Sequence, residues 1–256
     1  MEVHHHSHLA SGETHTPRKK WIHYFWEFLM LFLAVFCGFL AENQREHFVE
    51  HQREKQYIQT LYRDLKADTA FIRRFQSWLI RMDKGLDTLI RMINTGEYVN
   101  NADNFYSLAI NSRTIRYYEY HNSTYEQLKN SGNLRLLRSS GVADSLTQYN
   151  NILHERVSKQ EERFILATSN LAAGLWAVID AGSFKEVRGR NGSEIPDRYI
   201  PDNPVFKNVD EHKMQQFKNL CFDKKLMIPA LWNYTNELRR RARNMLILIK
   251  EKYHLE

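Results

Sequence analysis

The block "TYEQLKNSG" places a carboxylate, an amine and a hydroxyl within a few residues: Glu126, Lys129 and Ser131, flanked by Tyr125 and Gly132. Glu126 and Lys129 are one helical turn apart, so the block could serve as a ligand-recognition turn. A purely structural use competes with that. Ser123 and Glu126 fit a capping box, Tyr125 and Leu128 face a core, Lys129 pairs with Glu126, and Ser131-Gly132 ends the helix.

Other reactive residues are scattered. His47 and His51 lie four apart, a spacing that suits two metal ligands on one helical face, but no third ligand accompanies them. Cys221 has His212 as its nearest histidine and no base beside it. Arg239, Arg240, Arg241 and Arg243 could meet phosphates or lipid headgroups, or form a solvated helix face. No Ser-x-x-Lys, Gly-x-Ser-x-Gly, His-Glu-x-x-His or phosphate-binding glycine loop occurs. These residues predict no enzyme, no cofactor and no metal. The +6 charge is spread along the chain and gives no sign of nucleic-acid binding.

Glu27 is the other chemically notable residue, because it interrupts "HYFWEFLMLFLAVFCGFL". From Trp21 to Ala41 the chain is apolar over a length that crosses a hydrocarbon core at about 1.5 Å per residue. Trp21, Tyr24 and Trp26 form an interfacial aromatic belt, and Arg18, Lys19 and Lys20 precede it. The run is too long for a signal-peptide core, and no cleavage pattern follows, so a retained single-pass anchor is expected. The basic residues before it place the N-terminus in the cytoplasm and the bulk of the chain outside. On a helix, His23, Glu27, Ala34 and Gly38 share one face. His23 can satisfy the carboxylate, and Ala34 and Gly38 form a small-x-x-x-small pair that admits a second helix. Snorkelling of Glu27 toward Lys20 competes with this seam.

The remaining elements follow from periodicity. Residues 1–20 read as a flexible His-rich cytosolic tail, and 42–56 as a helical stalk continuing the membrane helix. Ile58, Leu61, Leu65, Asp68, Ile72, Phe75, Leu79, Met82, Leu86, Leu89 and Ile93 then alternate in steps of three and four, broken in polarity only by Asp68. That stripe packs on the same chain or on a second copy, and Gly96 ends its helix. Shorter helices are expected within 104–120 and from Ser123 to Gly132. A long helix spans about 141–179, and a last one runs from about Lys224 to Tyr253. Residues 180–210, with Pro196, Pro201 and Pro204, read as one extended loop, and Trp78, Trp176 and Trp232 as core fillers. The expectation is an all-α protein: a transmembrane helix (21–41), a stalk, and an antiparallel helical bundle over 57–256.

"MEVHHH", the run "YFWEFLMLFLAVFCGFLAENQREHFVEHQREKQYIQTLYRDLKAD" and "STYEQLKNSGNLRLLRSSGVADSLTQYNN" together resemble a family of uncharacterised single-pass membrane proteins of Bacteroidota, known only as a domain of unknown function. The resemblance implies a glutamate early in the span, here Glu27, and a Tyr-Glu-x-Leu-Lys-x-Ser-Gly block, here Tyr125, Glu126, Leu128, Lys129, Ser131 and Gly132. It implies an inner-membrane setting and no activity. Under it, the glycosylation-type sequons at Asn122, Asn191 and Asn233 are incidental.

Two functions are therefore in view. One is a membrane-anchored helical protein acting through protein–protein contacts, as a homo-oligomer or as an accessory subunit of an envelope complex. The other is an extracytoplasmic bundle that binds a small ligand and signals through a partner.

Overall fold

A computed structural model describes residues 17–187, 198–206 and 209–255, with the side chains of 17–20 and of His154 set aside. The tail expected over 1–20 lies outside the described residues up to position 16, and residues 17–20 already belong to the first helix. The chain is all-α. Helix α1 runs Pro17–Thr95, α2 Ala102–Ser112, α3 Ser123–Asn130, α4 Ser140–Ile152, α5 Ser158–Leu175 and α6 Glu211–Tyr253. A π-type turn, Leu153–Val157, joins α4 to α5. It falls where the buried positions Tyr149, Leu153, Val157 and Glu161 are spaced four apart three times running, and the wider turn absorbs the extra residue.

Two compact units divide at Arg53/Glu54. In the first, α1 carries the apolar segment, and its side chains from Trp21 to Leu40 are exposed except for the half-buried Leu29. By length and composition this part of α1 can cross a membrane.

In the second unit the heptad stripe of α1 is consumed internally. Ten of its eleven expected positions, Ile58 through Leu89, are buried, and Ile93 is half-buried. Each large apolar side chain so buried contributes about 1.5–3 kcal/mol. Helix α6 carries an equal stripe: Met214, Phe217, Cys221, Lys224, Ile228, Leu231, Thr235, Leu238, Ala242, Met245 and Ile249. It begins at Glu211, capped by Asp210, whose side chain accepts from the Lys213 N–H, so the helix starts thirteen residues before the expected boundary at about Lys224. Contacts between the two helices run in opposite order: Glu54 with Tyr253, Gln76 with Thr235, Asp83 and Asp87 with Lys225, Asn94 with Lys218. They are antiparallel.

Helices α4 and α5 lie parallel to α1, since Asp68 meets Tyr149 and Trp78 meets Phe164. That arrangement needs a return path, and residues 112–138 supply it. This stretch is mostly irregular, and side chains of the long helices hold its backbone. Lys224 donates to the carbonyls of Ser112 and Thr114; Glu161 accepts from the Tyr118 N–H, Asp68 from His121, Asp64 from Thr124 and Glu54 from Arg138. Buried backbone groups need partners, and here charged residues set into or beside the apolar stripes provide them.

The region expected to be one extended loop contains an antiparallel ribbon, β1 (Phe184–Val187) with β2 (Arg198–Pro201), Phe184 facing Pro201 and Val187 facing Arg198. Four-residue strands without sustained alternation leave no periodic signal. Buried Tyr106 of α2 anchors the region, its hydroxyl donating to the Val205 carbonyl and accepting from the Asp180 N–H at 2.9 Å. Phe206 packs among Tyr98, Phe105 and Tyr106.

Candidate functional site

The apolar part of α1 has two unlike faces. At 3.6 residues per turn, His23, Glu27, Ala34 and Gly38 fall within an arc of roughly 60°, with Ala41 inside it and Cys37 at its margin. His23 Nε2 lies 3.1 Å from Glu27 Oε1. Trp21, Phe25, Phe28, Phe32, Phe36 and Phe39 occupy the opposite side, an arc of roughly 80°. Phe28, Phe32 and Phe36 stack in series at centroid distances of 6.3 and 5.9 Å. A Cβ added at Gly38 would meet nothing within 4 Å. Cys37 is exposed.

The turn around Glu126 is built otherwise than its sequence suggests. Asn122, not Ser123, precedes the first turn of α3, and its side chain makes no capping hydrogen bond to that turn. The cap comes from α1: Asp64 Oδ2 accepts from the Thr124 N–H (3.3 Å) and hydroxyl (2.6 Å). A partner 60 residues upstream leaves no trace in a local motif. Tyr125 is buried, and the Lys129 ammonium sits 5.9 Å over its ring. Ser131 donates its hydroxyl to the Gln127 carbonyl at 2.7 Å, and Gly132 takes a φ of 69° to end the helix. Tyr125, Ser131 and Gly132 thus hold the turn together, and Glu126 is half-buried.

Sequence reasoning gave no site role to the charged residues of the stripes. Asp68 Oδ1 receives the His121 N–H (3.2 Å) and meets His121 Nδ1 (2.9 Å), and Oδ2 receives the Tyr149 hydroxyl (2.7 Å). Burial raises its pKa, against hydrogen bonds from Tyr149 and His121 that lower it. Lys224 is fully buried, its ammonium 2.5 Å from the Ser112 carbonyl and 4.8 Å over the Phe164 ring. Burial pushes it down to about 7, whereas the carbonyl acceptors favour the charged form. The arginine run is partly neutralised: Arg240 and Arg241 both hold Glu237, drawing its carboxyl down to about 2.

Two clefts flank Asn111 and Thr114 at the end of α2. The smaller, about 310 Å³, is walled by Trp78, Arg81 and Leu86. The larger, about 580 Å³, is walled by Arg113, Trp176, Phe184 and Tyr199. Trp176, expected in the core, is 45% exposed there. The guanidinium carbon of Arg113 lies 5.6 Å from the centre of its ring.

Together these features define an all-α protein with one helix able to cross a membrane. No family model, no curated protein and no solved structure matches the chain.

Proposed function

We propose that this chain is a non-enzymatic, membrane-anchored helical protein that acts through protein–protein contacts, as a homo-oligomer or as an accessory subunit of an envelope complex. One observation carries the reading: the exposed apolar part of α1 is two-faced, with stacked aromatic rings on one side and His23, Glu27, Ala34 and Gly38 on the other. Bulky rings suit lipid, whereas small residues beside a hydrogen-bonding pair suit another helix. The bundle's own heptad stripes are filled within the chain, so contact between chains falls to the membrane segment. The basic residues before Trp21 support a cytoplasmic N-terminus, with the bundle on the periplasmic side of an inner membrane. The resemblance to the Bacteroidota family agrees with that setting.

Oxidative crosslinking through Cys37 in native membranes tests the contact. Cys221 is buried and its thiol is pushed up to about 12, so it does not compete. The expected product is a disulfide-linked pair, of two copies or of this chain and a partner, that diminishes in Glu27→Leu while membrane insertion is retained. A chain that stays monomeric under oxidation and brings down no partner would overturn the reading.

A further inference from the structure

We propose that the 580 Å³ cleft between the end of α2, the end of α5 and the β1–β2 ribbon binds a planar aromatic carboxylate. Its volume falls in the range of small-molecule sites, about 300–1,000 Å³. Its walls are aromatic, and among the described residues that line it Arg113 is the cation.

Trp176 is 45% exposed and Tyr199 55% exposed, while Trp78 and Trp232 of the same unit pack against the core. Large rings left open to water around one concavity are suited to stacking on a flat ligand. Phe184, half-buried against Tyr106 at 5.6 Å, closes the floor. These rings come from the end of α5 and the two strands, and Tyr106 and Phe206 hold the ribbon in place beside α2.

Arg113 supplies the charge. No carboxylate pairs with it among the described residues, and its guanidinium lies against the Trp176 ring. A guanidinium held beside indole with no carboxylate on it retains N–H donors for a bidentate carboxylate contact. The C-terminal end of α2 would ordinarily repel an anion through its free carbonyls. Here Lys224 donates from the core side to the carbonyls of Ser112 and Thr114, so these two acceptors are already engaged. Asn111 and Thr114 on the wall add polar groups for a ring substituent.

The test is calorimetric titration of the detergent-solubilised full chain with 4-hydroxybenzoate and with its neutral isostere 4-hydroxybenzamide. The expected result is saturable binding of the acid, at least tenfold tighter than the amide. Arg113→Gln should abolish that preference and leave amide binding unchanged. Trp176→Ala should weaken both ligands, and circular dichroism should report an intact helical fold in each variant, since both side chains are exposed. Tyr199→Ala provides a second wall variant with the same expectation as Trp176→Ala. The proposal is overturned if 4-hydroxybenzoate shows no saturable binding, or if Arg113→Gln binds it as tightly as the original chain.

Discussion

Asp68 and His121 are joined twice through one carboxylate oxygen, by the His121 backbone N–H at 3.2 Å and by its Nδ1 at 2.9 Å. The second oxygen takes the Tyr149 hydroxyl, so a single side chain ties α1 to the return segment and to α4. Sequence periodicity marks position 68 as apolar, and the apolar choice is the wrong one here.

Asp68→Leu completes the stripe but strips the His121 N–H and the Tyr149 hydroxyl of their acceptor. The expected cost is about 3 kcal/mol, the scale of breaking a buried charged network. Asp68→Asn keeps an acceptor and matches the neutral form that burial favours, so it should cost roughly half as much. Urea denaturation of the detergent-solubilised chain ranks the two, and an Asp68→Leu chain as stable as the original would contradict the assignment.

Lys224 gives a pH signature. Its folded pKa of about 7 lies below the usual 10.5, so between those values the unfolded chain binds the extra proton and stability rises with pH. The slope reaches about 1.4 kcal/mol per pH unit, and below pH 7 the penalty is fully present. Lys224→Met removes the titration. Between pH 7.5 and 9 the original chain should therefore gain up to about 2 kcal/mol relative to the variant. Cys221, pushed up to about 12, loses stability as pH rises above its unfolded value, and it does so in both chains. Parallel denaturation midpoints across that range would refute the buried titration.

The legible and illegible parts of this fold divide by range. Ile58 to Leu89 could be placed on one stripe because their neighbours on the helix repeat every three or four residues. The same spacing left open whether that stripe meets its own chain or another, because it contains no information about the opposing surface. Lys224 sits at a stripe position of α6, but a lysine there reads as a boundary until Ser112 and Thr114, over 100 residues away, are seen to receive it. The cleft was invisible for the same reason: Arg113, Trp176 and Tyr199 share no local motif. Within the Glu126 block, the helix end at Gly132 was readable from residue type, and the cap was not, because it comes from Asp64.

The cap can be separated from the local motif by two substitutions. Ser123→Ala should change stability by less than about 0.5 kcal/mol, because no Ser123 side-chain bond caps α3. Asp64→Ala removes the acceptor for both Thr124 groups and should cost about 1 kcal/mol. Denaturation midpoints decide, and a larger loss from Ser123→Ala than from Asp64→Ala would restore the capping box.

On the membrane helix, Gly38 offers the cleanest probe of what lies opposite. A Cβ there meets nothing within 4 Å apart from the adjoining turns of its own helix, so Gly38→Ile starts its side chain into open space. The added bulk then reads out another helix held close by the small residues. Gly38→Ile should therefore reduce Cys37 crosslinking at least fivefold while insertion and the helical signal of the bundle are unchanged. Phe32→Leu, on the aromatic side, alters a ring stacked between Phe28 and Phe36 and should leave crosslinking as it is. The opposite ranking would place the lipid on the small face and the contact on the aromatic one, because bulk added at Gly38 would then point into acyl chains that yield to it.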